Sequence, residues 1–166
     1  KPAIIFEGEP GDSHTLTYRQ LTAEVCRFAN ALKAQGIQPG DRVVIYMPMV
    51  PEAVVAMLAC ARLGAIHSVV FGGFASRELA ARIDDATPKV VVTASCGIEP
   101  GRIVAYKPLL DEAIAMASAK PERVVLLQRP ELEAPLVPGR DLDWNELTAA
   151  ATPAACVPVA ATDPLY

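Results

Sequence analysis

The sequence has no run of basic residues, no apolar stretch of membrane-spanning length, no closely paired cysteines and no common phosphate-loop signature. Each absence removes a class of function. The 15 Lys and Arg are scattered and outnumbered by 19 Asp and Glu, for a net charge of -4. An electrostatic grip on nucleic acid is therefore not expected. Charges or prolines break every apolar stretch before the ~20 residues that a membrane span needs, and no charged-then-apolar leader is recognisable in these residues. Cys26, Cys60, Cys96 and Cys156 lie far apart without a C-x-x-C pair, so neither a zinc site nor a disulfide framework is signalled. A reducing compartment fits that pattern. Neither G-x-G-x-x-G nor G-x-x-x-x-G-K-[ST] occurs, which leaves a nucleotide site made by one such loop unsupported.

What is present is a chain of 166 residues with 52% hydrophobic content, enough for one sizeable core. Lys1 is no initiator methionine and Thr162 to Tyr166 stops as an apolar run begins, so an excised piece of a longer chain is expected. Ala3 to Glu7 and Thr15 to Tyr18 flank the turn formers Gly8 to Ser13 and predict a peripheral hairpin. After Thr17, a plausible N-cap, Leu21, Val25, Phe28, Ala29 and Leu32 recur at helical spacing until Gly36 and Pro39. Residues 1–40 are thus a peripheral hairpin and helix.

From 41 to 128 the texture alternates. Strand-like runs at Arg42 to Met47, Ile66 to Phe71, Lys89 to Thr93 and Arg123 to Gln128 are separated by helical patterns at Glu52 to Leu63, Ser76 to Ala86 and Lys107 to Ala119. Pro51 suits the first position of its helix. Continuously apolar strands separated by helices predict an α/β fold, a parallel sheet of βαβ units covered on both faces. Arg129 to Arg140, with three prolines and four charges, predicts a surface loop before a short helix at Asp143 to Ala150.

In an open parallel sheet, ligands bind beyond the carboxyl ends of the strands. The segments after Met47, Phe71 and Thr93 therefore carry the interest. Met47 to Glu52 uses Pro48 and Pro51 to stiffen a turn, which reads as structural. Phe71-Gly72-Gly73-Phe74 offers backbone for close approach to a ligand, or simply a geometric turn. Gly97 to Arg102 ends on an arginine, a residue suited to phosphate but more often just solvated. His67 lies within an apolar strand and reads as a satisfied sheet residue. Asp84 and Asp85 diverge on their helix and suggest no metal site; the cysteines have no cation cluster to make a thiolate; Trp144 reads as helix packing. No catalytic or metal-ligating residue is assigned.

Three stretches, Tyr46-Met47-Pro48-Met49-Val50-Pro51-Glu52-Ala53, Met57 to Ala65 and His67-Ser68-Val69-Val70-Phe71-Gly72-Gly73-Phe74, closely resemble acetyl-CoA and propionyl-CoA synthetases. The likeness runs from about Thr15 to Tyr166. Ile98 to Arg102, Tyr106 to Ala113 and Gly139 to Trp144 look more like the propionyl-CoA branch. The resemblance implies part of the large N-terminal domain of an AMP-forming, acyl-adenylate-making ligase. Its substrates would be a short-chain carboxylate, ATP with Mg2+, and CoA, in the cytoplasm or the mitochondrial matrix. In that family a Gly/Ser/Thr-rich phosphate loop with a lysine follows the segment matching Asp163 to Tyr166, and the acyl pocket and a catalytic lysine come later. Residues 129–166 would then be a loop, a short helix and the lead-in to the ATP-binding loop, and the piece alone is expected to be inactive.

The same resemblance implies that Phe71, Gly72 and Gly73, with Glu99, Pro100, Gly101 and Arg102, line the CoA nucleotide site. Glu99 stands where the acetyl type carries a second arginine, so the phosphate contact is weakened or supplied from elsewhere. The alternatives are a non-catalytic α/β module binding a nucleotide or protein, and a luciferase-like or longer-chain ligase on the same scaffold. Exposed edges and an apolar face also predict self-association of the isolated piece.

Overall fold

The four valine-rich runs form the centre of a computed structural model that describes Lys1–Tyr166. In chain order the elements are β1 (Pro2–Glu7), β2 (Ser13–Thr17), α1 (Tyr18–Ala34), β3 (Arg42–Tyr46), α2 (Pro51–Leu63), β4 (Ile66–Val69), α3 (Ser76–Ala86) and β5 (Val90–Ala94). They continue with β6 (Cys96–Glu99), β7 (Arg102–Ala105), α4 (Tyr106–Met116), β8 (Arg123–Leu127), β9 (Asp141–Asp143) and α5 (Trp144–Ala149). One parallel sheet has the order β4-β3-β5-β8-β9, and β1-β2 and β6-β7 are separate antiparallel pairs. The α/β expectation holds.

Alternate side chains of the sheet feed two cores, because successive residues of a strand point to opposite faces. Val43, Ile45, Val90, Val92, Val125 and Leu127 meet α1, α2 and α5 on one face. Val44, Tyr46, Val91 and Val124 meet α3 and α4 on the other. Right-handed crossovers require this division: β3-α2-β4 steps one way along the sheet and α3 leads back past β3 to β5, so α2 and α3 land on opposite faces.

Sequence details set the helix ends. Thr17 and Gln20 form a reciprocal capping box at the start of α1. Pro51 occupies the first turn of α2, and Gly64 closes that helix at φ +68, where a side chain would be strained. Helix α4 stops at Met116 and not at Ala119, because Ala117 is extended and the Lys120 ammonium donates to the Ile114, Ala115 and Ala117 carbonyls.

Three features depart from expectation. Helix α1 is not peripheral: Val25, Phe28, Ala29, Ala31 and Leu32 are buried in the larger core, and Phe28 stacks on Trp144 at 3.8 Å between ring centroids. Its stripe is wide enough to form a layer with α2. Gly97 to Arg102 is not a loop but most of the β6-β7 hairpin, whose two-residue link Pro100-Gly101 places Gly101 at φ +77. The sheet also continues past residue 128 into β9, an Asp-Leu-Asp triplet with little intrinsic strand preference. Ion pairs of Asp141 hold it, as described next.

Candidate functional site

The sheet reverses its winding between β3 and β5, since the chain leaves β3 toward β4 and returns on the other side. A crevice beyond the carboxyl ends of those two strands is the default ligand position of such a sheet. The structure has two adjoining cavities there. One, of about 220 Å³, is lined by Pro48, Met49 and Val50 after β3, by Ile98 and Arg129, and by Phe6 to Glu9 of the first hairpin. The other, an open groove of about 620 Å³, is lined by Glu99, Gly101, Arg102 and Ile103 of the second hairpin, with Glu9 and Glu131 opposite. Glu9 and Ile98 belong to both. The first hairpin is thus a wall of the groove.

Arg102 is the exposed cation of this groove, but it is engaged. Its Nη2 lies 2.6 Å from Glu99 Oε2, and its Nε donates to the same oxygen at 2.8 Å. The ladder pairs Glu99 with Arg102 directly across the hairpin link, so the contact follows from the register. Arg129 points to Glu131 at 3.6 Å. An anion entering either cavity has to replace a carboxylate at its arginine, Arg102 in the groove and Arg129 in the smaller cavity.

Phe71, Gly72 and Gly73 do not line the larger groove. Their turn is fixed from below by the Tyr46 hydroxyl, which donates to the Phe74 carbonyl at 3.2 Å and approaches the Gly72 carbonyl at 3.4 Å. Phe71 is exposed and meets Phe74 edge to face, with Arg82 over the Phe74 ring. The seven candidate residues therefore form two patches.

His67 departs from its sequence reading. Its Nδ1 is buried without a hydrogen-bond partner, and burial pushes the imidazole pKa below its ordinary value. The ring sits beside Tyr166, whose neighbour Leu165 accepts the His67 backbone N–H at 3.1 Å. Asp84 accepts the Ala119 N–H and so anchors a turn. Burial pushes the Cys60 thiol up to about 12 and raises Cys96 as well, which disfavours a thiolate at either. No three His, Cys, Asp or Glu side chains converge as metal ligands would.

The sequence reading passed over a charge cluster built on a buried Lys107–Asp141 pair. Lys107 Nζ lies 2.5 Å from Asp111 and 2.9 Å from Asp141, and Arg140 bridges the same two carboxylates at 2.5 and 2.6 Å. Burial alone would raise the Asp141 pKa. Hydrogen bonds from Arg140, the Val137 N–H and Lys107 outweigh it and hold the carboxyl below its ordinary value. The Lys107 and Asp111 spacing on one helix was the available signal, and it gives half of the cluster.

Fold and groove together define a parallel α/β protein with its ligand crevice at the topological switch point. The family model for AMP-binding enzymes matches residues 1–166, and the chain belongs to that family. An uncharacterised protein of Pseudomonas aeruginosa is 58% identical over 99% of this chain and 26% of its own length. The mitochondrial acyl-CoA synthetase short-chain family member 3 of Rattus norvegicus is 54% identical over all of this chain and 25% of its own. An acetyl-coenzyme A synthetase of Pasteurella multocida is 51% identical over all of this chain and 26% of its own. Among solved structures, the acetoacetyl-CoA synthetase from Streptomyces lividans superposes with a TM-score of 0.88 at 30% identity, covering 99% of this chain and 25% of that one. The chain spans about a quarter of the length of the relatives it matches. No helix is long and apolar enough to cross a membrane.

Proposed function

We propose that this chain is the N-terminal part of an AMP-forming acid–thiol ligase acting on a short-chain carboxylate, propionate or acetate. In the first step a carboxylate oxygen attacks the α-phosphorus of ATP and pyrophosphate leaves. In the second the CoA sulfur attacks the acyl carbon, AMP leaves, and the thiol proton is released. The observation that carries the reading is whole-chain identity above 50% to proteins named acetyl-CoA and short-chain acyl-CoA synthetases. The chain alone is inactive in this reading, which assigns it no catalytic group.

Its contribution is part of the CoA nucleotide surface, from Phe71 to Gly73 and from Glu99 to Arg102. The position of Arg102 on a groove beyond the carboxyl ends of β3 and β5 supports this. ATP brings Mg2+, and no residue of this chain is assigned to hold it. The exposed side chains of Met49 and Phe71 support self-association of the isolated chain.

The test uses the full-length protein. Arg102→Ala is expected to raise the KM for CoA about tenfold, the worth of one charge-assisted contact, with carboxylate-dependent ATP–pyrophosphate exchange unchanged. An equal fall in exchange and thioester formation would remove Arg102 from the CoA site.

A further inference from the structure

Tyr106 packs against Gly72 of the first patch and against Gly97, on the strand that leads into the second. It begins α4 directly after the second hairpin, its backbone N–H donates to the Ser95 carbonyl at 3.0 Å, and its ring is 5% exposed. The ring stacks on Tyr46 with centroids 4.9 Å apart. Tyr46 is the residue whose hydroxyl holds the Phe71 to Phe74 turn.

Two glycines make room for this ring. A Cβ on Gly72 would stand 2.0 Å from the Tyr106 hydroxyl oxygen and 2.7 Å from Cζ. A Cβ on Gly97 would stand 2.7 Å from Cε1 and 2.8 Å from Cζ. Neither distance is tolerable for a carbon atom, so glycine at both positions is a condition for seating the phenol. Gly97 lies on β6, the strand that ends at Glu99, and Gly72 lies in the turn after β4. One side chain therefore sits against both segments, which share no other contact described above. Gly72 owes its missing side chain to Tyr106 whether or not a ligand also approaches.

We propose that Tyr106 is a positioning residue for CoA. It sets the spacing between the Phe71 to Phe74 turn and the hairpin carrying Arg102, so that one ligand meets both. This rests on the reading of these segments as a CoA surface. The ring acts by its shape, filling the gap between Gly72 and Gly97, and not by hydrogen bonding. Burial keeps the phenol neutral, with its pKa raised above the ordinary value, so no charge at Tyr106 takes part.

The experiment compares Tyr106→Phe, Tyr106→Leu, Gly97→Ala and Arg102→Ala in the full-length protein, reading the melting temperature, pyrophosphate exchange and the KM for CoA. Tyr106→Phe is expected to match the parent in all three. Tyr106→Leu and Gly97→Ala are expected to raise the KM on the order of tenfold with exchange kept within about twofold, the scale of loss from ångström-sized misplacement of binding groups. Folded variants with an unchanged KM, or with exchange and thioester formation falling together, would reduce Tyr106 to packing. Failure of Tyr106→Phe to retain the parent KM would also overturn the shape argument. If Arg102→Ala raises the KM and the Tyr106 set does not, only this inference falls. If Arg102→Ala leaves it unchanged, the CoA surface itself is misassigned. Should Tyr106→Leu not fold, Gly97→Ala carries the same test, because it displaces the same ring from a position outside the residues assigned to CoA.

Discussion

Two sets of charges have nearly the same contact distances and different surroundings. Lys107, Asp111, Arg140 and Asp141 form four contacts of 2.5 to 2.9 Å around a Lys107–Asp141 pair that is 1% and 0% exposed, with Arg140 and Asp111 at its rim, 22% and 36% exposed. Glu99 and Arg102 approach to 2.6 Å, yet are 39% and 70% exposed. Distance does not separate these cases; the cost of returning each charge to water does. A buried charge that loses its partner has no solvent to replace it, whereas an exposed one exchanges partners almost freely. The first set is fixed structure and the second is available to a ligand.

The largest expected effect tests the first half of that contrast. Lys107→Ala leaves Asp141 buried with one cation fewer, and the loss is about 3 kcal/mol, the lower end for breaking a buried pair, because Arg140 remains. Hydrogen exchange of the β8 and β9 amides in the full-length protein is expected to quicken about a hundredfold, as the contacts holding β9 to α4 are released. A change below tenfold would place the cluster with ordinary surface pairs and end the comparison.

Acid gives a second, smaller effect with a definite sign. The folded Asp141 carboxyl has a pKa below its ordinary 3.8, so the unfolded chain takes up the proton first as pH falls. Its stabilisation is complete above about pH 5 and is lost as pH falls through the depressed folded value. Amide protection at β9 is expected to fall over the same range and to lose this dependence in Asp141→Asn. Dependence unchanged in the variant would locate the titration in another group.

How much of this was legible in the sequence follows the range of the interaction. The N-cap Thr17, the proline opening α2 and the apolar strands are local, and they were read with boundaries close to those found, though the reciprocal bond to Gln20 was not. The β6-β7 hairpin carried a local signal too, a Pro-Gly pair between short apolar runs, which the search for a ligand loop overrode. Strand β9 had no local signal, since its aspartate is held by Lys107 and Arg140 from outside the strand. Of the site, the residue types were visible and their relations were not. Nothing near Gly72 in the sequence announces a tyrosine at 106, and the pairing of Glu99 with Arg102 appears only once the hairpin register is known.

The smallest effect is the most informative about the exposed pair. Glu99→Gln keeps the shape of the side chain and removes its charge, and an exposed pair contributes about 0–1 kcal/mol, so the melting temperature should be almost unmoved. The same range bounds what Arg102 regains when its carboxylate partner is neutralised. The KM for CoA in the full-length protein is expected to fall by at most about fivefold, with pyrophosphate exchange constant. A rise in KM would mean that Glu99 itself contacts the ligand as an acceptor. No change in KM, with Arg102→Ala still raising it, would mean that the phosphate draws Arg102 away from the hairpin before Glu99 can compete. Only a fall fits a carboxylate standing in the place the anion is to take.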